Sequence, residues 1–205
     1  MLIPLSPKEY ALAGAVLGRA FQADPMWRAT FSDPDTRPEL LAAMFTGLTK
    51  ATDAARGLAE ATHGIDAVAL WLPPGKDIGI WAMVKSGFAL PRFVMSLPAP
   101  YRKRMMAVFR QLEERKKALM PDPHWYLSAI GVDPGRQGEG LGSTLVRSGI
   151  HRADADHTSI YLETQTEGNV GFYQYLGFEV LEQITAAGLD LPLWLMRRPP
   201  SPNSR

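Results

Sequence analysis

The amino-acid sequence predicts a single compact domain that mixes α-helices with β-strands. Its 205 residues suit one domain better than two. Its hydrophobic fraction of 46% and charged fraction of 21% are those of a globular protein. The chain also contains both the three-to-four-residue apolar spacing of helices and the short apolar runs of strands. We therefore expect an α/β fold.

The first 120 residues are predicted to contain more helix than strand. The expected elements are, in chain order, a helix from Ser6 or Pro7 to Asp24-Pro25, a helix from Pro38, a hairpin of strands 57–62 and Ala67–Leu72, a helix over 78–97 interrupted at Pro91, and an amphipathic helix over 100–120. The Pro121-Asp122-Pro123 run that follows is too short to separate two domains, so we interpret it as a sharp loop.

The remaining residues are predicted to alternate between strand and helix. The expected elements are a buried strand Trp125–Val132, a turn-rich loop 133–140, a helix over 141–153, a strand over 159–163, a short helix over 169–176, strands over 178–184 and 193–196, and a frayed tail over 199–205.

Charge and composition exclude several classes of function. The net charge of +1 argues against a nucleic-acid-binding protein. Residues 85–117 are locally basic, which is typical of a solvated helix face but also suits an anionic ligand or a partner. Cysteine is absent, which excludes disulfides, thiolate metal sites and an acyl-cysteine intermediate. The N-terminus does not resemble a signal peptide and no apolar run reaches ~18 residues, so we expect a cytoplasmic protein without membrane contact.

Five glycines gather where the strand Trp125–Val132 gives way to a helix, between Gly131 and Gly142. Backbone N–H groups at a helix start lack partners and carry partial positive charge, and glycines allow an anion to approach closely. The segment therefore predicts a phosphate or pyrophosphate site. It lacks the lysine of a P-loop after Gly140, and no repeated strand–helix units of a dinucleotide-binding domain surround it.

Two motifs carry a resemblance to a known family. Gln137-Gly138-Glu139-Gly140-Leu141-Gly142 resembles the Q/R-x-x-G-x-G/A pyrophosphate loop of the GCN5-related N-acetyltransferase (GNAT) family. The run Asn169 to Phe178, with Gly171, Tyr173 and the final Gly177-Phe178, resembles the same family's region that runs from an asparagine through a tyrosine to Gly-Phe. Together with the segment 69–75, these motifs look most similar to the puromycin N-acetyltransferase-like subgroup. Glu139 departs from the pattern, because a basic residue is common at this place in the family. Its carboxylate would weaken anion binding if it points at the pyrophosphate and would be harmless if it points to solvent.

The resemblance implies a fold and a division of labour. The sheet should be mixed, mostly antiparallel, twisted and splayed between the central strands Trp125–Val132 and 159–163, with helices on both sides. Residues 124–197 would form the acetyl-CoA-binding core, and residues 1–123 the acceptor-side half of the same domain. The residues that would contact acetyl-CoA, the cosubstrate, are Ile130, Gly131, Val132, Gln137, Gly138, Gly140, Leu141, Gly142, Ser143, Asn169, Phe172 and Tyr173.

The resemblance also implies direct attack of an amine on the thioester, which requires a base for the amine and an acid for the leaving thiolate. Tyr173 is the expected acid, since its ordinary pKa of ~10 keeps it protonated. The other interpretation is that Tyr173 belongs to a packed aromatic cluster with Phe172 and Phe178. Glu163 is the expected base, although a strand-end carboxylate can also be without function. His124 and His63 rank lower in that role.

The sequence therefore predicts an acetyl-CoA-dependent N-acetyltransferase acting on a primary amine of a small molecule, as a monomer or homodimer. A protein N-acetyltransferase and a non-catalytic acyl-CoA-binding sensor are the alternatives. No metal site is predicted, because His151 and His157 do not converge with Asp154 and Asp156 on a helix. The tryptophans that could line the acceptor pocket are Trp27, Trp71, Trp81 and Trp125, with core packing as the default for each.

Overall fold

The computed structural model describes residues 1–201, which form one seven-stranded sheet with helices on both faces. The strands are β1 (Leu2–Pro4), β2 (Leu58–Thr62), β3 (Ala67–Leu72), β4 (Trp125–Val132), β5 (Ile160–Thr164), β6 (Glu179–Thr185) and β7 (Pro192–Arg198). The helices are α1 (Tyr10–Ala20), α2 (Pro25–Thr30), α3 (Arg37–Ala54), α4 (Ile80–Lys85), α5 (Ala89–Ser96), α6 (Ala99–Leu119), α7 (Leu141–Ala155) and α8 (Glu167–Tyr175). The predicted mixed α/β class is confirmed.

The sheet has the order β1-β2-β3-β4-β5-β7-β6, and every neighbouring pair is antiparallel except β4 and β5. The parallel pair is bridged at only two positions, Trp125 with Ile160 and Tyr126 with Tyr161. Beyond these residues the two strands separate. The sheet is therefore splayed between the two strands that the sequence predicted to be central.

A bulge in β4 accompanies this separation. Leu127 faces Trp71 and Ala129 faces Leu70 across the pair with β3, which leaves Ser128 without a partner of its own in the register. The Ser128 hydroxyl donates a hydrogen bond to the Leu70 carbonyl at 3.1 Å. An extra residue bends a strand and re-aims its edge. The bulge thus bends β4 near the level where it leaves β5, while its antiparallel pairing with β3 continues to Val132.

Two hydrophobic cores lie on opposite faces of the sheet. The core under α7 and α8 contains Trp71, whose indole Nε1 donates to the buried carboxylate of Glu60 at 3.1 Å. The Arg152 guanidinium from α7 binds the same carboxylate. Gly149 of α7 lies directly against the Trp71 ring, so that a methyl group at residue 149 would overlap it. The larger core lies on the other face, under the helices of the first half of the chain.

Two glycines allow α1 and α3 to pack closely in that larger core. Gly14 and Gly18 of α1 face Ala42 and Thr46 of α3, and a Cβ at either glycine would overlap these residues. The contact places the C-terminal end of α1 against β4, where Ala20 and Leu17 cover Gly131.

Three sequence predictions about elements are wrong. The strand β1 was missed, because its three residues pair only with the edge of β2 and carry no periodic signal. Asp24-Pro25 begins α2 rather than simply ending a helix, because Asp24 caps it. The helix predicted over 78–97 is broken by the positive φ of Gly87 and Phe88, 68° and 56°. Pro91 lies in the first turn of α5, where a missing N–H costs no hydrogen bond.

The predicted frayed tail falls partly outside the described residues. Ser201 N donates to Asp154 at 2.8 Å, so the chain after β7 is held as far as the structure describes it. Residues 202–205 lie outside. Within residues 1–201, no helix is both long enough and apolar enough to cross a bilayer.

Candidate active site

A cavity of about 850 Å³ opens where β4 and β5 separate. Its walls come from helices of the first half of the chain, from β4 and β5, and from the glycine loop and α8. All the residues predicted to contact acetyl-CoA line it, namely Ile130, Gly131, Val132, Gln137, Gly138, Gly140, Leu141, Gly142, Ser143, Asn169, Phe172 and Tyr173. Glu163 lines it as well.

One wall of the cavity is the unpaired edge of β4. Asp133 N donates to Asp66 O on the β3 side at 2.7 Å. Because the backbone groups of successive residues in a strand point to opposite edges, those of Ile130 and Val132 point to the open edge. The Val132 carbonyl there accepts a hydrogen bond from the Gln137 side chain at 3.3 Å. This edge offers an extended polar ligand the hydrogen bonds that a further strand would make.

The glycine loop closes one end of the cavity. Gly138 and Gly140 have φ values of 83° and 78°, a conformation that glycine adopts without strain. Gly140 directly precedes α7, whose first intrahelical bond runs from Thr144 N to Gly140 O. The N–H groups of the residues between them have no partner inside the helix. A Cβ at Gly138 or Gly140 would meet open space, so an anion can reach these amides.

The carboxylate of Glu139 is paired with a neighbouring arginine. Its two oxygens accept hydrogen bonds from Arg136 Nε and Nη2, each at 2.8 Å, and Arg136 Nη1 donates to Asp66 at 2.9 Å. Arg136 holds the pKa of Glu139 below its usual range through these hydrogen bonds. Asp133 further fixes the loop by accepting from Gly135 N and from the Arg19 guanidinium. The loop is therefore held from the β3 side and from α1, and Glu139 is not a free negative charge.

α8 brings Asn169 and Tyr173 to the opposite wall. The Asn169 side-chain amide donates to Thr164 Oγ1 at 3.1 Å, which fixes the start of the helix to the end of β5. Tyr173 is 5% exposed and packs between the rings of Phe172 and Phe178. Tyr173 therefore belongs to an aromatic cluster and also lines the cavity, and its role as the acid stays a prediction. Burial raises its pKa above the ordinary value, so the hydroxyl is protonated at neutral pH.

Glu163 lies on β5 and lines the cavity, as does Ser128 at the bulge of β4. Its carboxylate accepts a hydrogen bond from the Tyr126 hydroxyl at 2.9 Å. Burial raises the pKa of Glu163 to about 7, and the hydrogen bond from Tyr126 opposes that rise in part. A carboxyl group with such a pKa can take up and release a proton near neutral pH.

The far arm of the cavity is aromatic and contains an acid that sequence reasoning missed. The rings of Phe21, Trp27, Phe45 and Phe109 line this arm and pack on one another. Asp24 lies among them, and its Oδ1 accepts from Met26 N at 3.0 Å and Trp27 N at 3.2 Å. Burial raises the pKa of Asp24 to about 6. An Asp-Pro pair is a signal for a helix start, which could have revealed the cap although not the cavity.

Other residues singled out from sequence lie elsewhere. Trp27 lines the cavity, whereas Trp71 and Trp125 are buried together on the opposite face of the sheet and Trp81 is 76% exposed. The His124 ring lies beside Tyr161, outside the cavity lining, and His63 lies on the exposed β2–β3 turn. Among the residues that the structure describes, no cluster of acidic residues and histidines could hold a metal ion.

Comparison with known proteins agrees with this geometry. A model of the acetyltransferase (GNAT) family matches residues 105–178, which span α6 to the start of β6. A structure from Corynebacterium glutamicum, described as histone acetyltransferase HPA2 and related acetyltransferase, is 25% identical, with a TM-score of 0.68 over 98% of this chain and 96% of that one. The matched segment contains β4, the glycine loop, α7, β5 and α8, so these elements have the sequence pattern of the GNAT family. The sheet splayed at β4 and β5 is the GNAT fold that the sequence motifs implied.

Two further acetyltransferase structures share the fold at lower identity. Arylalkylamine N-acetyltransferase 2 from Aedes aegypti is 14% identical, with a TM-score of 0.60 over 98% of this chain and 99% of that one. The polyamine N-acetyltransferase of Drosophila melanogaster, an enzyme that forms N-acetylagmatine, is 14% identical, with a TM-score of 0.63 over 97% and 99%. At these identities the likeness concerns the fold alone.

Proposed function

We propose that this protein is a member of the GNAT family and transfers the acetyl group of acetyl-CoA to a primary amine of a small molecule, by direct attack in a ternary complex. The observation that carries the proposal is the single cavity between β4 and β5. One end of it offers amides for a pyrophosphate, and the other is an aromatic arm with a carboxyl group. Tyr173 and Glu163 lie in the walls of the same cavity.

The residues present fit acetyl-CoA as cosubstrate. The unpartnered amides near Gly138, Gly140 and Ser143 would bind the pyrophosphate, because glycine leaves the space above them free. The open β4 edge at Ile130 and Val132 would bind the amides of the pantetheine arm. The remaining predicted contact residues would line the same path, namely Gly131, Gln137, Leu141, Gly142, Asn169 and Phe172.

The chemistry requires two proton movements. The amine nitrogen bonds to the thioester carbonyl carbon, the carbon–sulfur bond breaks, and the sulfur leaves with the bonding electrons. Glu163, with a pKa of about 7, would accept the proton that the amine loses, directly or through a water molecule. Tyr173, which burial keeps protonated, would donate a proton to the sulfur. Because the chain contains no cysteine, an acyl-cysteine intermediate is excluded.

The acceptor would enter from the half of the chain formed by residues 1–123. The aromatic arm suits an amine attached to an apolar or aromatic body, since aromatic rings supply large apolar contact area. Asp24 would face the polar end of such a molecule. The structural neighbours include an arylalkylamine N-acetyltransferase and a polyamine N-acetyltransferase. An arylalkylamine carries its amine on the kind of aromatic body that this arm suits.

Two measurements on the same protein test the proposal. A thermal shift with acetyl-CoA measures donor binding, and thiol release against a panel of amines measures transfer. The panel includes arylalkylamines, polyamines, a peptide with a free N-terminus, and puromycin, which tests the further proposal of a puromycin N-acetyltransferase-like subgroup. We expect binding together with release on at least one apolar or aromatic amine. Release on the peptide alone would favour a protein N-acetyltransferase, and binding without release on any amine would favour an acyl-CoA sensor.

A further inference from the structure

A lysine from α6 lies behind the Glu163 carboxyl group, outside the cavity. The Lys116 side chain is 14% exposed, and its Nζ lies 4.5 Å from the centre of the Tyr126 ring. The hydroxyl of the same tyrosine donates to Glu163 at 2.9 Å. Lys116, Tyr126 and Glu163 thus form a continuous series from α6 through β4 to β5.

The charge of this lysine is not cancelled by its own ion pair. Glu113 binds Lys116 at 2.7 Å and also Lys117 at 3.2 Å, so the cluster on α6 has two positive charges and one negative charge. A cation over an aromatic face withdraws electron density from the ring. A more acidic phenol is a stronger hydrogen-bond donor to a carboxylate. Lys116 therefore favours the ionised carboxyl group both directly and through the tyrosine.

We propose that Lys116 is a positioning residue for Glu163. Lys116 acts through Tyr126 to keep the Glu163 carboxyl group ionised and therefore able to accept a proton. The catalytic consequence rests on the proposed function, in which Glu163 is the base. The electrostatic part concerns the protein alone.

Other charged and titratable groups surround the pair and must be considered with it. They are Glu113 on α6, Tyr161 beside Glu163 on β5, Glu182 on β6, which is paired with Arg115 of α6, and His124 beside the Tyr161 ring. Tyr161 lies near the carboxyl group, but its hydroxyl is buried without a hydrogen bond of good geometry. Glu113 raises the pKa of Glu163, whereas Lys116 lowers it. The lysine therefore supplies the positive charge of this environment.

Substitutions on α6 separate a local effect from one of overall charge. Lys116→Met removes the charge next to the tyrosine and retains an apolar stem. Lys117→Met removes a charge from the same ion-pair cluster, but its side chain is 73% exposed and does not contact the ring, so it serves as the matched control. Lys116→Arg retains the charge and is the rescue variant. Thermal unfolding of each variant confirms that it is folded.

The primary readout is the pKa of Glu163 itself, followed by NMR of the side-chain carboxyl carbon in protein with labelled glutamate. The Glu163 signal is assigned as the one missing from Glu163→Gln. We expect Lys116→Met to raise this pKa by roughly 0.5 to 1 pH unit, and Lys117→Met and Lys116→Arg to leave it near the wild-type value. The acidic limb of kcat/KM should move upward by the same amount in Lys116→Met alone.

The two proposals fail in different ways. A folded Lys116→Met protein whose Glu163 pKa is unchanged, or an equal shift in Lys117→Met, would overturn the inference about Lys116. An acidic limb that persists in Glu163→Gln would overturn the role of Glu163 as base, while the NMR titration would still decide whether Lys116 controls its ionisation.

Discussion

Replacing Glu163 by glutamine should remove a pH dependence of stability whose direction is opposite to that of an ion-paired carboxylate with a lowered pKa. Burial raises the pKa of Glu163 from 4.5 to about 7 in the folded protein. Between these two values the folded state binds more protons than the unfolded state, so the free energy of unfolding falls as pH rises. One pKa unit corresponds to ~1.4 kcal/mol, so the full effect is roughly 3 kcal/mol. Glutamine retains an acceptor for the Tyr126 hydroxyl but does not titrate.

Urea unfolding of both proteins between pH 5 and pH 8.5 measures this effect. We expect the stability of Glu163→Gln relative to wild type to increase by about 2 to 3 kcal/mol across that range. Glu114→Gln is the matched control, because the Glu114 side chain is 69% exposed on α6. A difference between Glu163→Gln and wild type that stays constant from pH 5 to pH 8.5 would show that Glu163 ionises normally, and would refute the reasoning.

Three further substitutions test the acid, the acceptor arm and the packing. Tyr173→Phe should lower kcat by about 100-fold while the thermal shift with acetyl-CoA persists, and near-normal turnover would contradict the role of acid. Asp24→Asn keeps a helix cap but removes the negative charge of the aromatic arm. It should lower kcat/KM for the accepted amine roughly tenfold without affecting acetyl-CoA binding. An unchanged kcat/KM would argue against contact between Asp24 and the amine. Gly149→Ala should lower the free energy of unfolding by about 1–3 kcal/mol, because a methyl group overlaps Trp71. The matched change Gly171→Ala, on the open face of α8, should raise it by up to ~1 kcal/mol.

The side of the cavity formed by β4 and the glycine loop could be predicted from sequence because its signals are local. The strand β4, the loop at Gly138 and Gly140 and the start of α7 are contiguous, and their glycines mark positive φ values that other residues rarely adopt. The short helix with Asn169 and Tyr173 follows within about thirty residues. Backbone chemistry thus links sequence to site there without reference to the rest of the fold.

The aromatic arm of the cavity could not be predicted in this way because it depends on packing between distant segments. Asp24 and Phe109 reach one cavity only through the positions of α2 and α6, and nothing in the sequence near either residue indicates that. The position of Trp71 was equally undetermined, since every residue of β3 is buried and the strand shows no alternation that would indicate which face it presents. The pairing of Glu139 with Arg136 depends on a loop geometry that sequence leaves open.

Where β4 and β5 separate, the sheet lacks the backbone hydrogen bonds that join its other neighbouring strands. Past Tyr126 and Tyr161, the two halves of the sheet are joined by no direct ladder within the described residues. Under the proposed function, acetyl-CoA would lie along the open edge of β4 and would supply part of the missing hydrogen bonds. The acetyl donor would therefore stabilise the fold as well as react. At a free acetyl-CoA concentration of a hundred times its dissociation constant, binding would add ~2.7 kcal/mol to the free energy of unfolding. The stability of this fold in a cell would then depend on the concentration of acetyl-CoA.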